Sequence, residues 1–242
     1  DRVDYEGELG VVIGTGGRGC QVLEFFRQHA DCEIVAVCDV SRSTMEAANA
    51  KLLGGKAAMH GDFRKIIDQS DIDAVLIATP DHWHAPLCKA FMKAGKHVYC
   101  EKPLTHSVAE ARELRELSRT CSVVTQMGNQ GSASASLRRC TEIIQAGALG
   151  QIREIYHWGV GVTAREGSAE GEDPVPPGFN WDLWVGPSAL RPFKRDVYHP
   201  FRWRDWFDFG NGGLADICCH AINLPMRALD LGYPEKIVIN LQ

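Results

Sequence analysis

The chain has 242 residues, 45% hydrophobic and 24% charged, with a formal net charge of −5. That length holds one large domain, or a nucleotide-sized domain plus part of another. No basic run marks a nucleic-acid or membrane-surface partner, and no apolar stretch reaches the ~18–20 residues that cross a bilayer.

Nine cysteines (Cys20, Cys32, Cys38, Cys88, Cys100, Cys121, Cys140, Cys218, Cys219) are an odd number, scattered in apolar context without a C-x-x-C pair. They read as small buried hydrophobes in a reducing compartment. A cytoplasmic location is therefore expected. The chain opens Asp1-Arg2, so a periplasmic location after removal of a signal segment is the alternative.

Leu9–Ile13 is a short apolar run, followed by GTGGRG and by CQVLEFFRQHA, whose apolar spacing suits a helix. EIVAVCDV reads as a strand, and STMEAANAKLLGG as a helix with a Ser43/Glu46 capping box. DAVLIATP, KHVYC and SVVTQMG are further strands. They are separated by the helices HWHAPLCKAFMKAG and SVAEARELRELSR, the second capped by Ser107 and Glu110, and SLRRCTEIIQAGALG follows as a helix. Continuous apolar strands alternating with helices predict a doubly wound parallel sheet over residues 9 to about 150.

After Gly150 the texture changes. QIREIYHWGVGV alternates like a strand with one exposed face. A Pro/Gly/Trp-rich segment, about 163–211, holds Trp181, Trp184, Trp203 and Trp206. Its aromatics suit stacking on sugar rings and packing against protein equally well. A helix over 214–231, kinked at Pro225, and a strand over 236–241 close the chain.

Gly14, Gly16 and Gly19 form G-x-G-x-x-G between a strand and a helix, and Asp39 ends the next strand. This arrangement seats a pyrophosphate on a helix N-terminus and a ribose diol on the acid. Asp39 favours NAD, while Ser41 and Arg42 beyond it leave NADP open.

Thr79-Pro80 and Glu101-Lys102-Pro103 end two other strands, on the edge where open α/β sheets bind ligands. Lys102 is thus expected beside the nicotinamide, placed to exchange a proton with a substrate hydroxyl. Asp216, His220, Asn223 and Arg227 form a polar stripe on the 214–231 helix, which is either solvated or functional. His82, His84 and Cys218-Cys219-His220 match no closed zinc spacing, so no metal is expected.

GTGGRG, ATPDHWHAP, EKP and the Asp216-x-x-x-His220 pair, in this order, resemble the glucose–fructose oxidoreductase / inositol dehydrogenase (Gfo/Idh/MocA) family. GNQGSA, WDLWVGP and YHPFRWRDWFDFGNGGLAD are most similar to its bacterial sugar-oxidoreductase branch. The resemblance implies that Lys102 is a catalytic acid/base completed by Asp216 and His220. It places Gly14, Gly16, Gly17, Arg18, Gly19, Asp39, Thr79, Pro80, His84, Glu101 and Asn129 around the cofactor. Lys102, Asn129, Trp206, Asp216 and His220 are the implied substrate contacts. Asn223 and Cys218 stand where many relatives carry Asp and Gly.

The expected architecture is a Rossmann domain over 1–150 followed by an incomplete α+β substrate domain over 151–242. Relatives carry an open antiparallel sheet there, and this chain stops after its second strand, either as a fragment or with a reduced domain. The exposed edge would favour a homo-oligomer through that sheet. The expected activity is NAD(P)-dependent hydride transfer at a hydroxyl-bearing carbon of a sugar, glycoside or polyol. An NAD-dependent glycosidase and a non-catalytic NAD(H)-binding protein are the alternatives.

Overall fold

The computed structural model describes residues 8–158 and 165–238. Six strands form one sheet in the order β3-β2-β1-β4-β5-β6. They are β1 (Glu8–Ile13), β2 (Cys32–Cys38), β3 (Ala58–His60), β4 (Ala74–Ile77), β5 (His97–Glu101) and β6 (Thr125–Gly128). Every pairing is parallel. This is the doubly wound order whose strand sequence reverses between β1 and β4, opening a crevice at the carboxyl ends of those strands.

The connecting helices are α1 (Gly17–Phe26), α2 (Arg42–Leu53), α3 (Arg64–Ile67), α4 (Asp81–Lys93), α5 (Val108–Thr120) and α6 (Ala135–Gln145). Val11 and Ile13 enter a core with Leu87 and Phe91, while Val12 between them packs with Val22 and Leu23 on the other face. Both faces of β1 are covered, which is why its sequence reads as a continuous apolar run. The short β3 and α3 carry too little apolar pattern to be read from sequence.

Capping corrects one expectation. The Thr44 N–H of α2 donates to the Ser41 side chain, two residues earlier than the expected Ser43. Glu46 accepts instead from Arg42, which leaves it outside any capping box. The Ser107–Glu110 box of α5 forms reciprocally.

The tryptophan-rich segment is a second core. Trp181, Trp184, Phe193, Tyr198, Trp203, Trp206 and Phe209 are all buried together. Trp181 and Trp184 stack at 4.8 Å, both in or beside the short α7 (Trp181–Val185). Packing, not sugar stacking, buries these rings. The core is fastened to the sheet domain by the Trp83 indole N–H, which donates to the Leu183 carbonyl at 3.0 Å, and by an antiparallel bridge between Ser41 and Phe179.

The long helix divides into α8 (Gly212–Ala221) and α9 (Asn223–Leu229). Pro225 lies in the first turn of α9, where backbone N–H groups have no partner within the helix, so its missing donor costs nothing there. The polar stripe is docked. Asn223 donates to the Ser132 hydroxyl, and Arg227 to the Ser132 carbonyl at 2.8 Å.

Residues 151–158 and 236–238 form no strand, and the alternating run has no ladder partner among the described residues. Alternation alone does not make a strand without a neighbour to accept its hydrogen bonds. The expected antiparallel sheet is therefore not seen there. Residues 159–162 and 239–241 of the two expected strands lie outside the described residues.

Candidate active site

A cavity of about 750 Å³ opens in the crevice between β1 and β4. Gly14, Gly16, Gly17 and Arg18 form one wall, Asp39 and Val40 one end, and Thr79, Pro80, Glu101 and Lys102 the floor. The aromatic core contributes the facing wall through Trp184, His199, Phe201, Trp203 and Arg204.

The glycine turn is built by contact. Gly14 has a φ of 85°, and its N–H donates to the Cys38 carbonyl at 2.9 Å. Gly19 does not line the cavity; it lets α1 lie directly on that turn, since a Cβ there would sit 1.8 Å from the Gly14 oxygen. Gly16 and Gly17 have nothing within 4 Å of a would-be Cβ, so open space faces the N-terminus of α1. A diphosphate fits such a place.

At the adjoining end, Asp39 accepts from the Thr15 N–H at 2.7 Å, the Thr15 hydroxyl at 2.9 Å and the Ser41 N–H at 2.8 Å. These donors fix the carboxylate without covering it, as a ribose diol requires. The Thr79 hydroxyl, on the cavity floor, is buried with no hydrogen-bond partner. An orphaned polar atom of this kind is a place where a ligand completes the hydrogen bonding. The cavity thus fits a nicotinamide dinucleotide.

At the opposite end, the Lys102 ammonium donates to both the Asp216 carboxylate and the Asp216 carbonyl, each at 2.8 Å. Arg204, lying over the Trp203 ring at 4.1 Å, brings its Nε to 3.7 Å from the same carboxylate oxygen. Asp216 stands behind Lys102 and does not itself line the cavity, whereas His220, one turn along α8, does. Burial and the nearby Lys102 pull the His220 imidazole below its ordinary pKa, against the pull of Asp216. It is neutral near pH 7 and able to accept a proton.

Other expected site residues have structural partners. Both ring nitrogens of His84 face carbonyl oxygens, Pro103 at 2.6 Å and Thr79 at 2.9 Å, so this wall residue ties the two floor loops together. Glu101 is buried and accepts from Arg18 at 2.8 Å, bracing the glycine loop against β5. Asn129 lies outside the cavity wall and donates to the Cys219 carbonyl at 3.2 Å, joining β6 to α8. Trp206 turns away into the aromatic core, its N–H on the Val197 carbonyl at 3.1 Å. Trp203 and Trp184 reach the wall in its place.

Asp81 and Arg204 were missed by the sequence reading. Asp81 is the first residue of α4, directly after Pro80, and strand-end position alone would have nominated it. Arg204 has no sequence signal, because its partner Asp216 meets it only in three dimensions.

Burial, then the negative charge of Asp216, pushes the Asp81 carboxyl up to about 7, against Arg204, Lys102 and the Asn211 N–H. The folded chain therefore holds a proton that the unfolded chain releases above its own carboxylate pKa. This stabilisation is complete below about pH 4 and is lost as pH rises through about 7. Asp81→Asn removes the ionisation while keeping the shape. It should flatten the fall in melting temperature between pH 5 and 8 and raise the pH 8 value by several degrees, on the scale of a few kcal/mol. Thermal denaturation across pH checks this.

Residues 10–129 match the model of an oxidoreductase family with an NAD-binding Rossmann fold, and 151–237 match that family's C-terminal α/β domain. A glycosyl hydrolase family 109 protein of Saccharopolyspora erythraea is 34% identical over 58% of this chain and 32% of its own length. A levoglucosan dehydrogenase of Pseudarthrobacter phenanthrenivorans is 27% identical over 76% of this chain and 41% of its own. The first curated relatives are spanned over only 26–50% of their lengths. Among solved structures, GenD2 from gentamicin A biosynthesis, in complex with NAD, covers 93% of this chain and 54% of its own at 20% identity and a TM-score of 0.67. With both family models matched in order and the dinucleotide cavity in place, the chain belongs to the Gfo/Idh/MocA oxidoreductase family and carries its NAD-binding Rossmann fold.

Proposed function

We propose that the protein is an NAD-dependent oxidoreductase acting on a hydroxyl-bearing carbon of a sugar, glycoside or polyol. The observation that carries this reading is the Lys102–Asp216 pair with His220 at the open end of the dinucleotide cavity. A bound nicotinamide supplies the hydride acceptor or donor. The chain's own part is to orient the substrate and move its hydroxyl proton. Asp216, through two hydrogen bonds, aims the Lys102 ammonium, which donates to the substrate oxygen and supplies the proton in the reductive direction. His220, neutral, takes the hydroxyl proton in the oxidative direction. Trp203, stacked with Arg204 beside Asp216, shields this end from water.

In this reading 1–150 is the dinucleotide-binding domain and 151–242 belongs to the α+β substrate domain. An open antiparallel sheet in this second part of the chain, joining copies of it, is supported by the exposed Ile155, Trp158, Ile237 and Val238. NADP in place of NAD is disfavoured by Asp39.

A second reading is an NAD-dependent glycosidase of the same fold, favoured by the family 109 relatives. In that case oxidation is transient and the cofactor is restored within each turnover. One panel separates the two. Polyols, free sugars and aryl glycosides are incubated with the protein and NAD, and nicotinamide absorbance and aglycone release are both followed. Net NADH from a polyol or sugar supports the dehydrogenase; aglycone release without net NADH supports the glycosidase. Neither signal across the panel rejects both.

A further inference from the structure

Beyond Asp39, a second feature bears on which dinucleotide enters, and it rests on the dinucleotide reading of the cavity. In nucleotide folds of this type a 2′-phosphate is received just past the acid that ends β2, at the first turn of the following helix. Here residues 178–180 lie against that place and, with Asp39, Val40 and Arg42, line a shallow cavity there. The Arg42 N–H, first of α2, donates to the Gly178 carbonyl at 2.9 Å, and the Asn180 N–H donates to the Val40 carbonyl at 2.9 Å. Ser41 pairs with Phe179 as an antiparallel bridge.

Two side chains flank these backbone donors. The Ser41 hydroxyl is buried, accepts from the Thr44 N–H and shares a hydrogen bond with the Thr44 hydroxyl at 2.8 Å. The Arg42 guanidinium is exposed, and its Nε donates to Glu46 at 2.7 Å. Gly178 has a φ of 76°, and a Cβ there would stand 3.3 Å from the Arg42 Cβ. Glycine is thus what allows this strap to lie flat on α2.

We infer that the 178–180 strap is a specificity element: its Gly178 carbonyl occupies the donor a 2′-phosphate would need and presents a negative dipole where that phosphate would lie. Asp39 repels the phosphate by charge, and the strap takes the Arg42 backbone donor. Removing the acid alone therefore leaves NADPH disfavoured.

The test measures NADH and NADPH binding by tryptophan-to-nicotinamide energy transfer in the wild type, Asp39→Ala, Gly178→Ala and the double variant. The wild type should favour NADH by about 10³-fold, and Asp39→Ala should still favour it by roughly 10–100-fold, the worth of charge-assisted hydrogen bonds withheld. Gly178→Ala lifts the strap, so the double variant should bring the two nucleotides within about threefold. Retained NADH binding by Gly178→Ala reports that it folds. If that variant does not fold, Asp39→Ala alone decides. Equal affinities in Asp39→Ala overturn the inference, as does continued exclusion of NADPH by a folded double variant. No binding of either nucleotide to the wild type overturns the dinucleotide reading, and the strap's role with it.

Discussion

Lys102→Met should lower kcat by ~10²–10⁴-fold, the usual contribution of general acid–base catalysis, while NADH binds nearly as before. Methionine keeps length and apolar volume but cannot donate, so the substrate hydroxyl loses its proton partner. The cofactor's anchors lie elsewhere, at the glycine turn and Asp39. The variant also frees Asp216 from its 2.8 Å ion pair, leaving Arg204 at 3.7 Å as its remaining cation. A loss of stability alone would lower the amount of active protein and leave the pH profile unchanged. A catalytic role predicts that the residual activity has an altered pH profile, because the donor to the substrate oxygen is gone. Steady-state kinetics of the folded variant across pH, beside its NADH titration, makes that separation. Full turnover would remove Lys102 from the mechanism.

The second large effect is expected at the glycine turn. Gly19→Ala sets a methyl group 1.8 Å from the Gly14 oxygen, which has nowhere to retreat. Gly14 is held by its own hydrogen bond to Cys38, and a Cβ on it would already lie 2.7 Å from the Ala78 oxygen. Helix α1 must therefore lift off the turn. A loss of about 3–5 kcal/mol in stability is expected, together with at least ~100-fold weaker NADH binding. Gly16→Ala is the contrast, because its Cβ meets nothing in the protein. That variant should melt like the wild type and still bind NADH poorly, since its methyl group enters the space assigned to the diphosphate. Thermal melts paired with nucleotide titrations read both outcomes.

The parallel sheet was legible because its strands are buried on both faces and its helices carry apolar stripes; local pattern and global fold agree there. The glycine motif was legible because backbone geometry demands small residues at fixed spacing. Lys102 was legible as the end of a strand stopped by proline, and Asp216 and His220 as one face of a helix. That Lys102 and Asp216 meet was not, since 114 residues separate them and the second core sets the approach. The same limit hid Arg204 and the strap over Ser41. It also misassigned Trp206, since a tryptophan that packs and one that lines a cavity have the same sequence signature. The alternating run at 151–158 shows the converse, because a strand pattern without a partner does not make a strand.

One cavity binds the dinucleotide at the glycine turn, and the proposed chemistry at Lys102 is separate from that binding. Titration of NADH into the wild type, Lys102→Met and Gly16→Ala, followed by energy transfer from the cavity-wall residues Trp184 and Trp203, tests it most directly. Saturable binding in the wild type, kept in Lys102→Met and weakened by at least ~100-fold in Gly16→Ala, is the predicted result. Equal binding by all three proteins, or loss in Lys102→Met with retention in Gly16→Ala, would contradict it.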